Sequence, residues 1–100
     1  MDMAPLTLVT IVAEAILQER ILEDLRAAGI KGYTLTEVQG EGSRGIRAST
    51  WQGHNIKIET LVSVPISDII LARVAEHYFE HYAVVAYRST VEVLRPEKFS

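Results

Sequence analysis

Apolar positions along this chain of 100 residues follow two spacings in turn, short β-rich runs and longer runs with helical periodicity. Residues 6–12 form a continuous run of leucine, threonine, valine and isoleucine, which predicts a strand buried on both faces. Across residues 13–28, apolar side chains recur every three or four positions, which predicts a helix that stops at Gly29. The apolar stripe of this helix is expected to contain Ile16, Leu17, Ile21, Leu25 and Ala28.

Strand character returns twice in the middle of the chain. Residues 32–39 carry β-branched and aromatic side chains in near alternation, which predicts a second strand. Residues 55–64 resume this character, and we expect the third strand to stop at Pro65 because proline interrupts a hydrogen-bonded ladder.

A second helix and a last strand complete the pattern. Ser67 is the expected N-cap of a helix that runs to about His81. Residues 82–95 then predict a long last strand, and residues 96–100 a frayed tail. The inward side of the second helix is expected to hold Ile70, Val74 and Tyr78, with Leu71, Ala75 and Phe79 beside them.

The predicted order, βαββαβ, is that of the ferredoxin-like sandwich, an α+β fold with a four-stranded antiparallel sheet and two helices on one face. One such domain accounts for residues 1–95. The first strand is apolar on both sides, with Leu8 and Val12 opposite Val9 and Ile11. Because helices cover only one face of such a sheet, we expect the chain to self-associate through the other.

Composition narrows the class of protein. Apolar residues make up 48% and charged residues 23%, as in a single globular domain. The net charge of −3 gives no global positive field, so we expect neither nucleic acid nor a membrane surface as a direct partner. The absence of cysteine excludes disulfides and thiolate chemistry. The first residues lack the pattern of a secretory signal, and we expect the protein to be cytoplasmic.

The most informative segment is a long glycine-containing loop, residues 40–54. Its glycines allow backbone N–H groups to turn toward an anion, Ser43 offers a hydroxyl, and Arg44 and Arg47 offer planar guanidinium groups suited to phosphate. This chemistry predicts a phosphate-binding hairpin. The alternative on chemistry alone is a solvated hairpin whose arginines have no specific ligand.

Five stretches of the chain resemble PII-like signalling proteins of the SbtB type and the carboxysome-associated PII proteins. They are residues 32–34, 40–47, 55–59, 78–79 and 82–83. The resemblance implies a homotrimer with adenine nucleotides in clefts between subunits. It also implies that residues 40–54 are the T-loop, a segment that responds to the ligand and engages a partner.

The resemblance also implies which residues bind the nucleotide. The pattern Gly-x-Gly-Ser-Arg-x-x-Arg assigns the phosphates to the loop, the third strand would lie near the adenine, and the start of the last strand would line the cleft. Ile46 and Trp51, near the loop tip, are the candidates for contact with a partner. The nucleotide-binding set is Gly40, Gly42, Ser43, Arg44, Arg47, Lys57, Glu59, Leu61, Ala83, Val84 and Val85.

Two departures from the family pattern bear on the ligand. Family members commonly have Tyr-Ala-Gly where this chain has Tyr82-Ala83-Val84, and the lysine-bearing B-loop of ordinary PII proteins is missing between His81 and Val84. The resemblance therefore implies ADP or AMP, with cyclic AMP as a further candidate and ATP as a weaker one. It implies bicarbonate as a co-ligand. We expect no catalytic cofactor and no enzyme, and slow nucleotide hydrolysis is the one reaction that stays open.

By the same resemblance, the expected role is regulation of inorganic-carbon uptake or of carboxysome function. The partner would be a bicarbonate transporter or a carboxysome component, and any association with a membrane would pass through that partner.

A competing motif occurs at His77-Tyr78-Phe79-Glu80-His81, which matches the inverted zincin pattern His-x-x-Glu-His. A chain of this size has little space for a third ligand and a substrate cleft, so a solvated helix end is the favoured interpretation. A second alternative is a trimeric metal-binding protein of the same fold, similar to the divalent-cation tolerance family, which could use His54, His77 and His81.

Overall fold

The structure is a computed structural model that describes residues 2–39 and 54–98. Its elements confirm the predicted βαββαβ order and the ferredoxin-like fold. A 3₁₀ turn, Ala15–Leu17, leads from the first strand into the first helix, and a second such turn follows the last strand. The six main elements are β1 Met3–Glu14, α1 Gln18–Ala28, β2 Thr34–Val38, β3 Asn55–Val62, α2 Val64–Tyr78 and β4 Val85–Leu94.

The four strands form one antiparallel sheet in the order β2-β3-β1-β4. Both helices cover the same face, where alternate residues of β1 and β3 meet the helix stripes in one core. The opposite face, called here the open face, has no helix upon it. The largest core side chains include Val9, Ile11, Ile56, Ile58, Val62, Ile21, Leu22, Leu25, Ile70, Val74 and Tyr78.

The first strand is longer than its apolar run. It continues through Ala13 and Glu14, which pair with Ile56 and Asn55 of β3, so α1 begins at Gln18 instead of residue 13. Ladder pairing with a long partner strand therefore overrides the helical spacing of these residues. As a result Ala13 is buried in the core, whereas Ile16, predicted on the helix stripe, is 65% exposed.

Burial of β1 on both faces is only partly observed. The helix-facing residues Thr7, Val9, Ile11 and Ala13 are buried. On the open face Leu6 and Thr10 are buried, but Leu8 and Val12 are only half-buried in the single chain.

The start of α2 differs from the prediction. Ser63 is the N-cap and accepts a hydrogen bond from the N–H of Ile66 at 3.4 Å, while Pro65 lies in the first turn, where its missing N–H costs no helical bond. Ser67 is a buried residue of the helix, whose hydroxyl donates to the carbonyl of Val64 at 2.7 Å. The helix also ends at Tyr78, three residues before His81.

The remaining boundaries differ by a few residues. The strands β2 and β3 are shorter than predicted, and β4 begins at Val85, because residues 79–84 form an irregular connection. The predicted tail contains the 3₁₀ turn Pro96–Lys98, in which the N–H of Lys98 donates to the carbonyl of Arg95 at 3.2 Å. Within the described residues, no helix is long and apolar enough to cross a membrane.

Candidate functional site

Three of the predicted ligand-binding residues share the open face of β3. Lys57, Glu59 and Leu61 alternate with core residues of the same strand, so their side chains project away from the helices. All three are half-buried in the single chain. A charged lysine, a carboxylate and an apolar side chain therefore follow one another along the face of the sheet opposite the helices.

The strand register extends this set into rows across the sheet. Lys57 pairs with Val12, which pairs on its other side with Val85 of β4. In the next row Glu59, Thr10 and Tyr87 are neighbours. With strands about 4.8 Å apart, Lys57 and Val85 lie about 10 Å from each other on the same face. The structure thus brings together two segments that the sequence places 28 residues apart, at Lys57 and Val85.

Ala83 and Val84 belong to the connection that leads from α2 into β4. The N–H of Val84 donates to the carbonyl of Tyr82 at 3.1 Å, and the N–H of Tyr82 donates to the carbonyl of Tyr78 at 2.9 Å. Ala83 and Val84 are half-buried, whereas Val85 is 57% exposed. This short backbone turn comes directly before Val85, the first residue of β4 that pairs with β1.

The base of the loop lies at the same end of the sheet. Val38, the last residue of β2, pairs with Asn55, the first residue of β3, and the carbonyl of His54 accepts a hydrogen bond from the N–H of Ala15 at 3.3 Å. β1 ends and β4 begins at this end of the sheet. The base of the loop therefore lies near Lys57 and Val85. The predicted loop residues Gly40, Gly42, Ser43, Arg44, Ile46, Arg47 and Trp51 lie outside the described residues.

Sequence reasoning missed several side chains of this region. Thr10 and Tyr87 complete the row of Glu59, and Tyr82 precedes Ala83 with its hydroxyl bonded to Arg20 of α1 at 3.2 Å. Thr10 and Tyr87 belong to no local motif, and the motif that contains Tyr82 did not by itself indicate its contact with α1. Only the strand register and the packing of α1 against α2 connect them to the predicted set.

Two residues of the inverted zincin motif, His77 and Tyr78, contact α1, whereas Glu80 and His81 are exposed beyond the end of α2. Nδ1 of His77 lies 3.2 Å from the carboxylate of Asp24, and the Tyr78 hydroxyl donates to the same carboxylate at 2.5 Å. Burial and the bond to Asp24 raise the pKa of Tyr78 above its ordinary value. Over residues 2–39 and 54–98, no three His, Asp or Glu side chains are grouped closely enough to hold a metal ion.

Comparison with known proteins places the chain in a family. Residues 6–98 match the sequence model described as nitrogen regulatory protein P-II. The chain belongs to the P-II family. A putative PII-like signalling protein of Thermus thermophilus is 53% identical over the whole of both chains, with a TM-score of 0.86.

More distant P-II relatives have been solved with ligands. CPII of Thiomonas intermedia, described as bound to ADP and bicarbonate, is 28% identical, and the match covers 99% of this chain and 98% of that one with a TM-score of 0.86. A second structure of CPII is described as bound to ADP, AMP and acetate, with 27% identity, the same coverage and the same TM-score. Membership of the P-II family does not favour the alternative of a divalent-cation tolerance protein.

Proposed function

We propose that this chain is an adenine-nucleotide-responsive signalling protein that forms a homotrimer and binds ADP or AMP where subunits meet. The observation that carries the proposal is the meeting of Lys57, Val85 and the base of the loop at one end of the open face. A cation, an apolar wall and an anion-binding loop are the groups that a nucleotide needs.

Within this site, the phosphates would contact the loop and the base would contact the sheet. Gly40, Gly42 and Ser43 would supply backbone N–H groups, Ser43 would add its hydroxyl, and Arg44 and Arg47 would be the main cations. The adenine would lie near Glu59 and Leu61, against residues 83–85. With no lysine in the connection before β4, ADP and AMP fit better than ATP, and cyclic AMP is tested beside them.

The apolar character of the open face supports assembly. Leu8, Val12 and Leu61 are only half-covered in one chain, and Val85 and Tyr87 are more than half exposed. A partner copy would remove this surface from water, which is the usual driving force for a symmetric oligomer. The nucleotide cleft would then be complete only in the trimer.

Switching would follow from the charge of the ligand. Phosphate would draw Arg44 and Arg47 inward, order the base of the T-loop and change how Ile46 and Trp51 meet a partner. We expect the protein to act in the cytoplasm by binding its ligand and its partner. It would need no catalytic cofactor and would catalyse no reaction.

The finer assignment is to the SbtB or carboxysome-associated type, with a role in inorganic-carbon uptake. The likeness to CPII, described as bound to ADP and bicarbonate, supports bicarbonate as a co-ligand. A bicarbonate transporter or a carboxysome component would then be the partner.

Calorimetry of the purified protein with AMP, ADP, ATP and cyclic AMP, each with and without bicarbonate, tests the proposal. We expect Arg47→Ala to lower the affinity for ADP about tenfold to a hundredfold, because a hydrogen bond to a charged group contributes about 1.5–3 kcal/mol. Arg26→Ala, which removes an exposed arginine from α1, is the matched control. Equal ADP affinity in wild type and Arg47→Ala would refute the role of the loop, and heats unaffected by bicarbonate would refute the co-ligand.

A further inference from the structure

A cluster of aromatic and charged side chains joins α1 to the end of α2, away from the open face. The guanidinium group of Arg20 donates to the hydroxyl of Tyr82 at 3.2 Å and lies 5.7 Å from the centre of the same ring. It also lies 5.4 Å from the ring centre of Tyr78, which is buried. We call Arg20, Tyr78 and Tyr82 the Arg20 clasp.

The Arg20 clasp acts on a segment between α2 and β4, in which Tyr82 and Val84 also pack against the hydrophobic core. Residues 79–84 belong to no helix or strand, and their backbone bonds run only to neighbours along the chain. The hydroxyl of Tyr82, by contrast, accepts a hydrogen bond from Arg20 of α1, 62 residues away in sequence. The contact combines a hydrogen bond with a cation–π interaction on two rings, so the guanidinium plane has a defined orientation.

The position of Tyr82 is transmitted directly to the candidate site. Its carbonyl accepts the N–H of Val84 at 3.1 Å, which closes a tight turn around Ala83. Val85 follows at once and enters the sheet beside Val12, in the row that contains Lys57. A shift of Tyr82 would therefore move the wall of residues 83–85 relative to Lys57.

We propose that Arg20 is a positioning residue for nucleotide binding. By holding Tyr82, it fixes the backbone of residues 82–84 and with it the position of the wall, residues 83–85, against the ligand. The inference rests on the proposed function, and it adds a residue of α1 that belongs to none of the predicted binding segments. Arg20 acts on the ligand through Tyr82 and makes no contact of its own with the nucleotide.

The test compares Arg20→Gln with Arg26→Gln, which removes the same charge from an exposed position of the same helix. We expect Arg20→Gln to lower the affinity for ADP about threefold to tenfold, which corresponds to the loss of one modest polar contact. Amide hydrogen exchange in the nucleotide-free protein should accelerate at Tyr82 and Val84 in Arg20→Gln and not in Arg26→Gln. Exchange in the core strand β1 should stay unchanged in both.

A double-mutant cycle with Tyr82→Leu decides whether Arg20 acts through Tyr82. We expect Arg20→Gln to cost little further ADP affinity in the Tyr82→Leu background, and Tyr82→Phe, which retains the ring, to show an intermediate loss. If Tyr82→Leu fails to fold, the Tyr82→Phe cycle measures the part of the coupling that passes through the hydrogen bond, because the ring contact with Arg20 remains.

Three results would overturn the inference. Equal ADP affinity and equal exchange in Arg20→Gln and Arg26→Gln would remove the role of Arg20 and leave the proposed function standing. Losses that simply add in the double variant would show that Arg20 acts independently of Tyr82. Failure of the wild-type protein to bind any adenylate would overturn the proposed function, and the positioning role with it.

Discussion

At the scale of single residues, Tyr78 connects the two helices through one hydroxyl. The residue is 1% exposed, its hydroxyl donates to Asp24 of α1, and its ring makes an edge-type contact with that of Tyr82, with centres 6.1 Å apart. Because a tyrosinate here would be desolvated and would face a carboxylate, the neutral form is favoured and the pKa of Tyr78 is raised.

This raised pKa predicts how stability depends on alkaline pH. The stabilisation is complete below about pH 10, the ordinary pKa of tyrosine, and is lost as pH rises from there toward the higher pKa of the folded state. Tyr78→Phe should lower the free energy of unfolding by about 1.5 kcal/mol at pH 7, the lower end for a hydrogen bond to a charged group. Above pH 10 its stability should fall less steeply than that of wild type.

Urea unfolding followed by circular dichroism between pH 7 and pH 11 measures this difference. Tyr33→Phe is the control, because Tyr33 is an exposed tyrosine outside the core. Parallel pH profiles for wild type and Tyr78→Phe would show that the hydroxyl titrates as it would in the unfolded chain.

At the scale of elements, Gly29 determines where α1 ends. Its φ of 100° lies in the left-handed region, and its N–H donates to the carbonyl of Arg26 at 3.0 Å, while that of Ile30 donates to Leu25 at 3.3 Å. A β-carbon at this position would meet Ile66 of α2 at 3.9 Å, which is ordinary contact. The requirement for glycine therefore comes from the backbone conformation and not from lack of space.

Gly29→Ala should therefore lower the free energy of unfolding by about 1–2 kcal/mol, the cost of a left-handed conformation for a residue with a β-carbon. Gly32→Ala is the matched control: a β-carbon there meets nothing within 4 Å, and the backbone lies outside the left-handed region. We expect that variant to stay within about 0.5 kcal/mol of wild type. Equal urea midpoints for the two variants would contradict the assigned role of Gly29.

At the scale of the whole molecule, the open face and the loop base depend on each other. The sheet positions Lys57 and Val85 in one row, but a single chain leaves this row on an uncovered surface. Assembly would therefore both bury the apolar strip and enclose the ligand. Loss of assembly and loss of nucleotide binding should then occur together.

Leu8→Asp tests this coupling, because Leu8 is half-buried on the open face between Leu61 and Ser89. A charge buried at a subunit contact is strongly unfavourable, so light scattering should report one 11.2 kDa subunit in place of about three. Calorimetry should show no ADP binding at concentrations that saturate wild type. Ala27→Asp, on the exposed surface of α1, should leave both unchanged. A trimeric Leu8→Asp protein would exclude this face as the contact.

Local sequence patterns were sufficient for the order and type of the elements, because apolar periodicity and turn residues act over a few positions. They predicted the stripe Ile70, Val74 and Tyr78 and the stop at Gly29, both of which the structure confirms. They were wrong at Ala13 and at Ser67, where strand pairing and a proline in the first helical turn decide the boundary.

The sequence by itself determined the order and type of the helices and strands, and it supplied the candidate ligand-binding residues of the loop and of Lys57-Ile58-Glu59. Only the tertiary structure decided that Lys57 and Val85 share a row and that Arg20 meets Tyr82. The physical reason is the separation in sequence over which each kind of interaction acts. Periodicity and capping depend on neighbours in the chain, whereas strand register and helix packing depend on contacts between residues far apart in sequence, which close only when the whole core forms.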